Sequence, residues 1–183
     1  MFPALPRLLT DEAIVRGVRE VADLARGCGV RAALIGSVAM HAYGFASATV
    51  RVTVAATEAL PLCRERAPSV GYATTSGVPV DVVVRTGKYR RLYRDAIDAA
   101  QYRENVPLPV VRPEELIALA MVGARASDHA DIDYLLGTGA IDHARARKIV
   151  GKYLGRFAVD EYVRRVEAVV ASHAREAWLR LRP

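Results

Sequence analysis

Cysteine is nearly absent, with only Cys28 and Cys63 among 183 residues. The two do not form a C-x-x-C pair and have no histidine near them in a metal-ligand pattern. A disulfide scaffold and a zinc ribbon are therefore not expected, and both thiols read as small buried or surface side chains. Histidine is equally sparse. His41, His129, His143 and His173 fall on separate expected helices without H-E-x-x-H spacing, which leaves zinc chemistry unsupported. No G-x-S-x-G occurs, so there is no nucleophile elbow. No apolar run reaches membrane-spanning length, and the opening MFPALPRLL has neither a charged region before a long apolar stretch nor a small-residue cleavage site. The expectation is a cytoplasmic protein with no membrane partner. Internal repeats and low-complexity linkers are missing as well.

What is present is enough apolar material to build a core, with 52% hydrophobic and 25% charged residues. The net charge of +6 suits an anionic partner such as RNA, DNA or a nucleotide. Arginine greatly outnumbers lysine and alanine is plentiful, a bias that coding composition alone produces, so a merely solvated basic surface stands beside that reading.

Periodicity divides the chain into a mixed first part and a helical second part. Thr10, Asp11 and Glu12 start a helix whose apolar positions Ile14, Val18, Val21 and Ala25 recur at helical spacing until Gly27 and Gly29 stop it. Residues 31–35 read as a buried strand running into Gly36 and Ser37, followed by a short helix ending near Gly44. From Thr49 to Ala55 the chain alternates, with Val50, Val52 and Val54 on one face and Thr49, Arg51 and Thr53 on the other. A short helix is expected from Thr57. Residues 69–75 and 78–84 read as a hairpin around Ser76 and Gly77, with Val80, Val82 and Val84 toward the core and Asp81 opposite. A short helix near residues 88–95 and one or two strands lead to Arg112. Pro113, Glu114 and Glu115 then open a helix whose sequence LIALAMVGA predicts a buried element. Ser127 and Asp128 open another, closed by Gly137, and Asp142 and Asp160 open two more, the last running to Trp178 and beyond. The expected architecture is α/β of the α+β kind, a mixed β-sheet flanked by helices over residues 1–111 and a helical part over residues 112–183, packed as one unit.

Three segments carry a resemblance. ALIGSVAMHAYGF, SATVRVTVAA and VRPEELIALAMVGARASDHADIDYLL are similar in arrangement to the nucleotidyltransferase superfamily related to DNA polymerase β, particularly small bacterial members like the abortive-infection toxin nucleotidyltransferases. The resemblance implies that Gly36 and Ser37 match the turn whose backbone amides hold a nucleotide triphosphate. It implies that Arg51 and Thr53 stand where the family carries a metal-binding Asp-x-Asp, and that Asp81 matches the third carboxylate. Arg125, Asp128 and Asp131 fit the later helical motif, while Ala120 sits where many relatives carry lysine.

Two-metal phosphoryl transfer needs several carboxylate oxygens converging on two cations. Arg51 places a fixed positive charge where a dication would sit, and Thr53 leaves a neutral, weak ligand. Such a metal site should fail, leaving Asp81 as a residual carboxylate, and no cofactor is expected. A guanidinium beside an unpaired carboxylate could satisfy it with two hydrogen bonds, so an Arg51–Asp81 pair is one expectation. In the other, Arg51 points to solvent from an edge strand. Gly36 and Ser37 either hold phosphate without a cation, or serve only as a tight turn and a helix cap.

The segment RTGKYRRLYR sets Arg85, Lys88, Arg90, Arg91 and Arg94 among Tyr89 and Tyr93, the charge and stacking chemistry of a single-stranded nucleic-acid site. Against that stands a solvated loop and short helix whose tyrosines anchor it to the core. Asp128, Asp131 and Asp133 lie in the first turns of a helix, where carboxylates cap amides more readily than they hold metal. Tyr162, Val166, Val169 and Trp178 mark a last helix that seals the domain or packs against another copy.

The function implied is that of a catalytically degenerate nucleotidyltransferase-fold protein that binds a nucleoside triphosphate, RNA or a protein partner. The alternative is an active transferase moving a nucleoside monophosphate to RNA or protein with a non-standard site, for which Mg would be needed. A structural or antitoxin-like subunit is a third reading. The residues do not specify an oligomeric state.

Overall fold

The computed structural model describes residues 10–45, 49, 51–62, 72–139 and 141–180, with side chains described as far as residue 173. Val50, Cys63, the start of the expected hairpin at residues 69–71 and the Trp178 side chain lie outside the described residues. The chain forms two compact units, Met1–Arg112 and Pro113–Pro183.

The first unit is a three-stranded mixed sheet with helices. Helix α1 (Asp11–Gly27) begins where Thr10 accepts a hydrogen bond from the Ala13 amide, and it buries Ile14, Val18, Val21, Ala22 and Ala25. Gly17, also buried, lets α1 approach closely, since a Cβ there would lie 2.6 Å from Val78 Cγ1 and 3.4 Å from Val52 Cγ2. Strand β1 (Ala32–Ile35) is buried throughout and pairs antiparallel with β2 (Val52–Ala56), while β2 pairs parallel with β3 (Val80–Val83), so β2 is central. The backbone pairing outruns β2, because the Thr57 amide donates to the Arg31 carbonyl at 2.9 Å. That extended path occupies the place of the short helix expected from Thr57, and the described residues 57–62 are not helical.

Val52 and Val54 are fully buried, as their alternation implies, but on β3 only Val80 is. Val82 is half-buried and Val84 is 38% exposed, contrary to the expected inward face. The reason is position: β3 is the last strand of the sheet, and alternation assigns a side to a residue without covering that side. Before β3, the turn at Ser76 and Gly77 closes through Thr74 N to Val78 O and Gly77 N to Thr74 O, both 2.9 Å, and Gly77 takes φ 80°. Glu20 of α1 holds this turn by accepting from Thr75 Oγ1 at 2.5 Å and Ser76 N at 3.2 Å. On the outer edge of β1, Leu34 exchanges backbone hydrogen bonds with Pro109 and Val111. A short helix α2 (Gly36–His41) follows β1, and a 3-10 turn (Gly87–Tyr89) leads into α3 (Arg90–Ala99), which packs on β2.

The second unit is helical: α4 (Pro113–Gly123), α5 (Ala126–Gly137), α6 (His143–Leu154) and α7 (Arg156–Arg180). Its hub is α4, buried from Pro113 to Leu119 and packed against both α5 and α6. Asp142 caps α6 by accepting from Arg145 N at 2.9 Å. The last helix starts at Arg156, directly after Gly155 at φ 87°, rather than at Asp160. Glycine released from helical φ ends α6 and permits a sharp restart, so an acidic residue one turn later is not required as a cap. Among the described residues, no helix is long and apolar enough to cross a membrane.

Candidate functional site

The chain brings the candidate residues of three elements to one end of the sheet. Strand β1 stops at Ile35, whose partner across the antiparallel pairing is Thr53, and Thr53 in turn lies beside Asp81 across the parallel pairing. Gly36 follows at φ 63°, a left-handed value that favours glycine, and a Cβ there would meet Thr53 Cβ and Oγ1 at 3.6 Å. Gly36, Thr53 and Asp81 are therefore neighbours. Arg51, two residues before Thr53 and on the same side by alternation, places Nη1 2.9 Å from Asp81 Oδ2. Both side chains are about one-third exposed. Arg51 thus pairs with Asp81 and does not simply point to solvent, but through one hydrogen bond and not the two expected.

Ser37 does not cap α2. The cap position is Ile35 and has no side-chain hydrogen bond. Ser37 Oγ instead lies 2.6 Å from Thr49 Oγ1, and Thr49 Oγ1 donates to the Arg51 carbonyl at 3.0 Å. Threonine has one hydroxyl proton, and with that proton committed to Arg51 O the donor in the serine–threonine contact must be Ser37. This chain of hydroxyls links the Gly-Ser turn to the backbone of Arg51. Thr49 is 4% exposed and was not singled out from sequence, although its place in the Thr49, Arg51, Thr53 alternation was a usable signal.

Chemically, the cluster presents one carboxylate already engaged by a guanidinium, a neutral threonine hydroxyl, and a serine whose proton is committed. A dication would have to displace Arg51 from Asp81 against its charge.

The tyrosine-arginine stretch splits into different environments. Lys88, Arg90, Arg91 and Arg94 are exposed. Tyr89 is half-buried with the Lys88 ammonium 5.2 Å from its ring centroid. Tyr93 is only 7% exposed, with the Arg85 guanidinium 5.4 Å from its ring centroid. A buried ring already faced by a guanidinium has little surface left on which to stack a base, so Tyr93 anchors α3 and the basic side chains are what the segment offers outward.

The aspartates of α5 also have assigned partners. Asp128 accepts from Arg125 N at 2.9 Å, Nε at 3.1 Å and Nη2 at 3.0 Å, and Asp133 Oδ1 receives Arg165 Nη1 at 3.2 Å. Burial, and then the Asp128 charge, push the Asp131 carboxyl above its ordinary value. A second polar cluster escaped the sequence reading altogether. Glu114 and Glu115, 3% and 4% exposed, face Arg145, whose Nη2 donates to Glu115 Oε1 at 2.5 Å. Glu114 Oε1 accepts from Asp142 N at 3.1 Å, and Tyr162 Oη lies 2.8 Å from His143 Nδ1. Acidic residues at a helix start ordinarily signal only the dipole, which is why these passed unnoticed. Against this geometry, no family model matches the chain, and no curated protein matches it.

Proposed function

We propose that this chain is a nucleotidyltransferase-fold protein that does not perform two-metal nucleotidyl transfer, and that the surface around Gly36, Thr53 and Asp81 serves to bind a nucleoside triphosphate. The observation that carries this reading is the Arg51–Asp81 contact of 2.9 Å. In the mechanism implied by the resemblance, Asp81 would share two cations with two further carboxylates. Here its oxygen is held by a guanidinium, and the adjacent position is Thr53. Binding without transfer is the proposal, because backbone amides and positive charge can attract a polyphosphate with no need of a dication. Resemblance of fold does not by itself transmit a substrate, so RNA and a protein partner are the competing occupants of the same surface.

The test is calorimetric titration of the purified chain with each ribonucleoside triphosphate, with and without magnesium, alongside an Arg51→Asp, Thr53→Asp double variant. The expected result is binding indifferent to magnesium in the natural chain and a magnesium requirement gained by the variant. Tight binding that needs magnesium in the natural chain would overturn the reading in favour of an active transferase. No triphosphate binding under either condition would turn the site over to RNA or protein.

A further inference from the structure

Beyond the Arg51–Asp81 pair, a second feature lies at the other end of β2. On α3, Arg90, Tyr93, Arg94 and Ile97 recur at spacings of three, four and seven and so share a face. Tyr93 and Ile97 are buried, which directs that face toward the sheet. With Ala56 and Thr57, where β2 ends, and Arg85, which follows β3, they line a cleft of about 30 Å³. A single water needs roughly 10–15 Å³ on this measure, so the cleft has room for a group of a few heavy atoms and not for a base or a folded peptide.

The charge balance of the cleft is one-sided. Three of its seven lining residues are arginines and none is acidic. Arg85, Arg90 and Arg94 make no ion pair among the described residues. Asp98, the acid that follows Ile97 on the same helix, is taken by Arg31. Arg85 is meanwhile held against the Tyr93 ring, which fixes its position before any ligand arrives. Three guanidinium groups held near one small space repel one another, and a multiply charged oxyanion relieves that repulsion while accepting several charge-assisted hydrogen bonds.

We propose that Arg85, Arg90 and Arg94 form a site for a phosphate-class dianion, supplied either as free phosphate or as the monoester phosphate of a nucleotide. The site is independent of the proposed Gly36 site, and either can exist without the other. It also gives the tyrosine-arginine segment a narrower role: it grips phosphate and does not stack bases.

The experiment is titration of the full chain at low, constant ionic strength with inorganic phosphate, adenosine monophosphate and adenosine. Natural protein is compared with Arg94→Gln, Arg90→Gln, the double variant, and Arg91→Gln as an exposed arginine of α3 outside the cleft. Loss of one charged hydrogen-bond donor should weaken phosphate by about tenfold in each cleft variant, while Arg91→Gln stays within about twofold. Equal affinity for phosphate and the monophosphate identifies free phosphate as a sufficient ligand, tighter monophosphate identifies a nucleotide, and both support the site. The proposal is overturned if the double variant retains phosphate affinity, if Arg91→Gln weakens it as much as Arg94→Gln, or if adenosine binds as well as its monophosphate. Absence of phosphate binding by the natural chain overturns it too. Thermal melts of every variant, expected within a few degrees of the natural chain because these side chains are exposed, separate lost binding from lost folding.

Discussion

The two units solve the same electrostatic problem in different settings. In the first, Arg51 meets Asp81 with both side chains about one-third exposed. In the second, Arg145 meets Glu114 and Glu115, whose side chains are 4% and 6% exposed. Water shares the work at Asp81, so the pair there is modest in energy and exchangeable, which suits a site open to a ligand. Around Glu115 water is nearly excluded, and the guanidinium is what makes two adjacent buried carboxylates tolerable at all. The contrast shows why an ion pair must be judged by its surroundings: the first is a partly exposed pair beside the sheet, the second a nearly buried structural element of the helical unit.

The largest effect expected from breaking the comparison is at Arg145. Arg145→Ala strands Glu115 and weakens the balance at Glu114, and should cost about 3 kcal/mol, the low end for a buried pair because Arg145 itself is 36% exposed. Urea unfolding at neutral pH measures it, and a loss under about 1 kcal/mol would place the cluster with surface pairs.

Next in size is an alkaline effect in the same cluster. Burial, then the facing charges of Glu114 and Asp142, push the Tyr162 hydroxyl up to about 12. An unfolded tyrosine ionises near pH ~10. The folded value is the higher, so the stability it contributes is fully present below about pH 10 and is lost as pH rises through about 12, amounting to roughly 2–3 kcal/mol. His143, Glu114 and Asp142 act on this hydroxyl, and Tyr162→Phe isolates its part. The variant should lose less stability than the natural chain between pH ~10 and ~12. Parallel loss in the two would assign the effect to the other groups.

The smallest effect belongs to the Arg51–Asp81 pair. Arg51→Ala should cost only about 0.5–1 kcal/mol, and a double-mutant cycle with Asp81→Asn should return a coupling of that order. A coupling well above ~2 kcal/mol would bring this pair into the same class as Arg145.

Local chemistry made many elements readable in advance. Thr10 and Asp142 both accept the amide hydrogen bonds that helix caps require, and the apolar spacing of α1 coincides with its buried face. Gly36 falls where the chain takes a left-handed turn. The burial of α4 followed from a run with no polar side. The misses share one cause. Val82 and Val84 alternate as a core strand does, yet β3 lies at the end of the sheet. Thr57 sits in a segment that resembled a helix start, yet its amide is claimed by Arg31. Glu114 and Glu115 had the appearance of ordinary first-turn acids, yet a cation some thirty residues later lets them be buried.

Candidate sites follow the same division. Arg51, Thr53 and Asp81 were named through the resemblance, and the expected pair was one of two readings; the strand register that sets Thr53 beside Asp81 and the Arg51 contact decided between them. Arg85, Arg90 and Arg94 were visible as a basic run, but their separation from Arg91 and their meeting with Thr57 required the packing of α3 on β2. The sequence by itself determined where most of the helices and strands form and which side of each is apolar, because caps, turns and periodicity act over a few neighbouring residues. Tertiary structure alone decided which sides are covered and which charges meet, because burial and pairing depend on atoms contributed from distant parts of the chain.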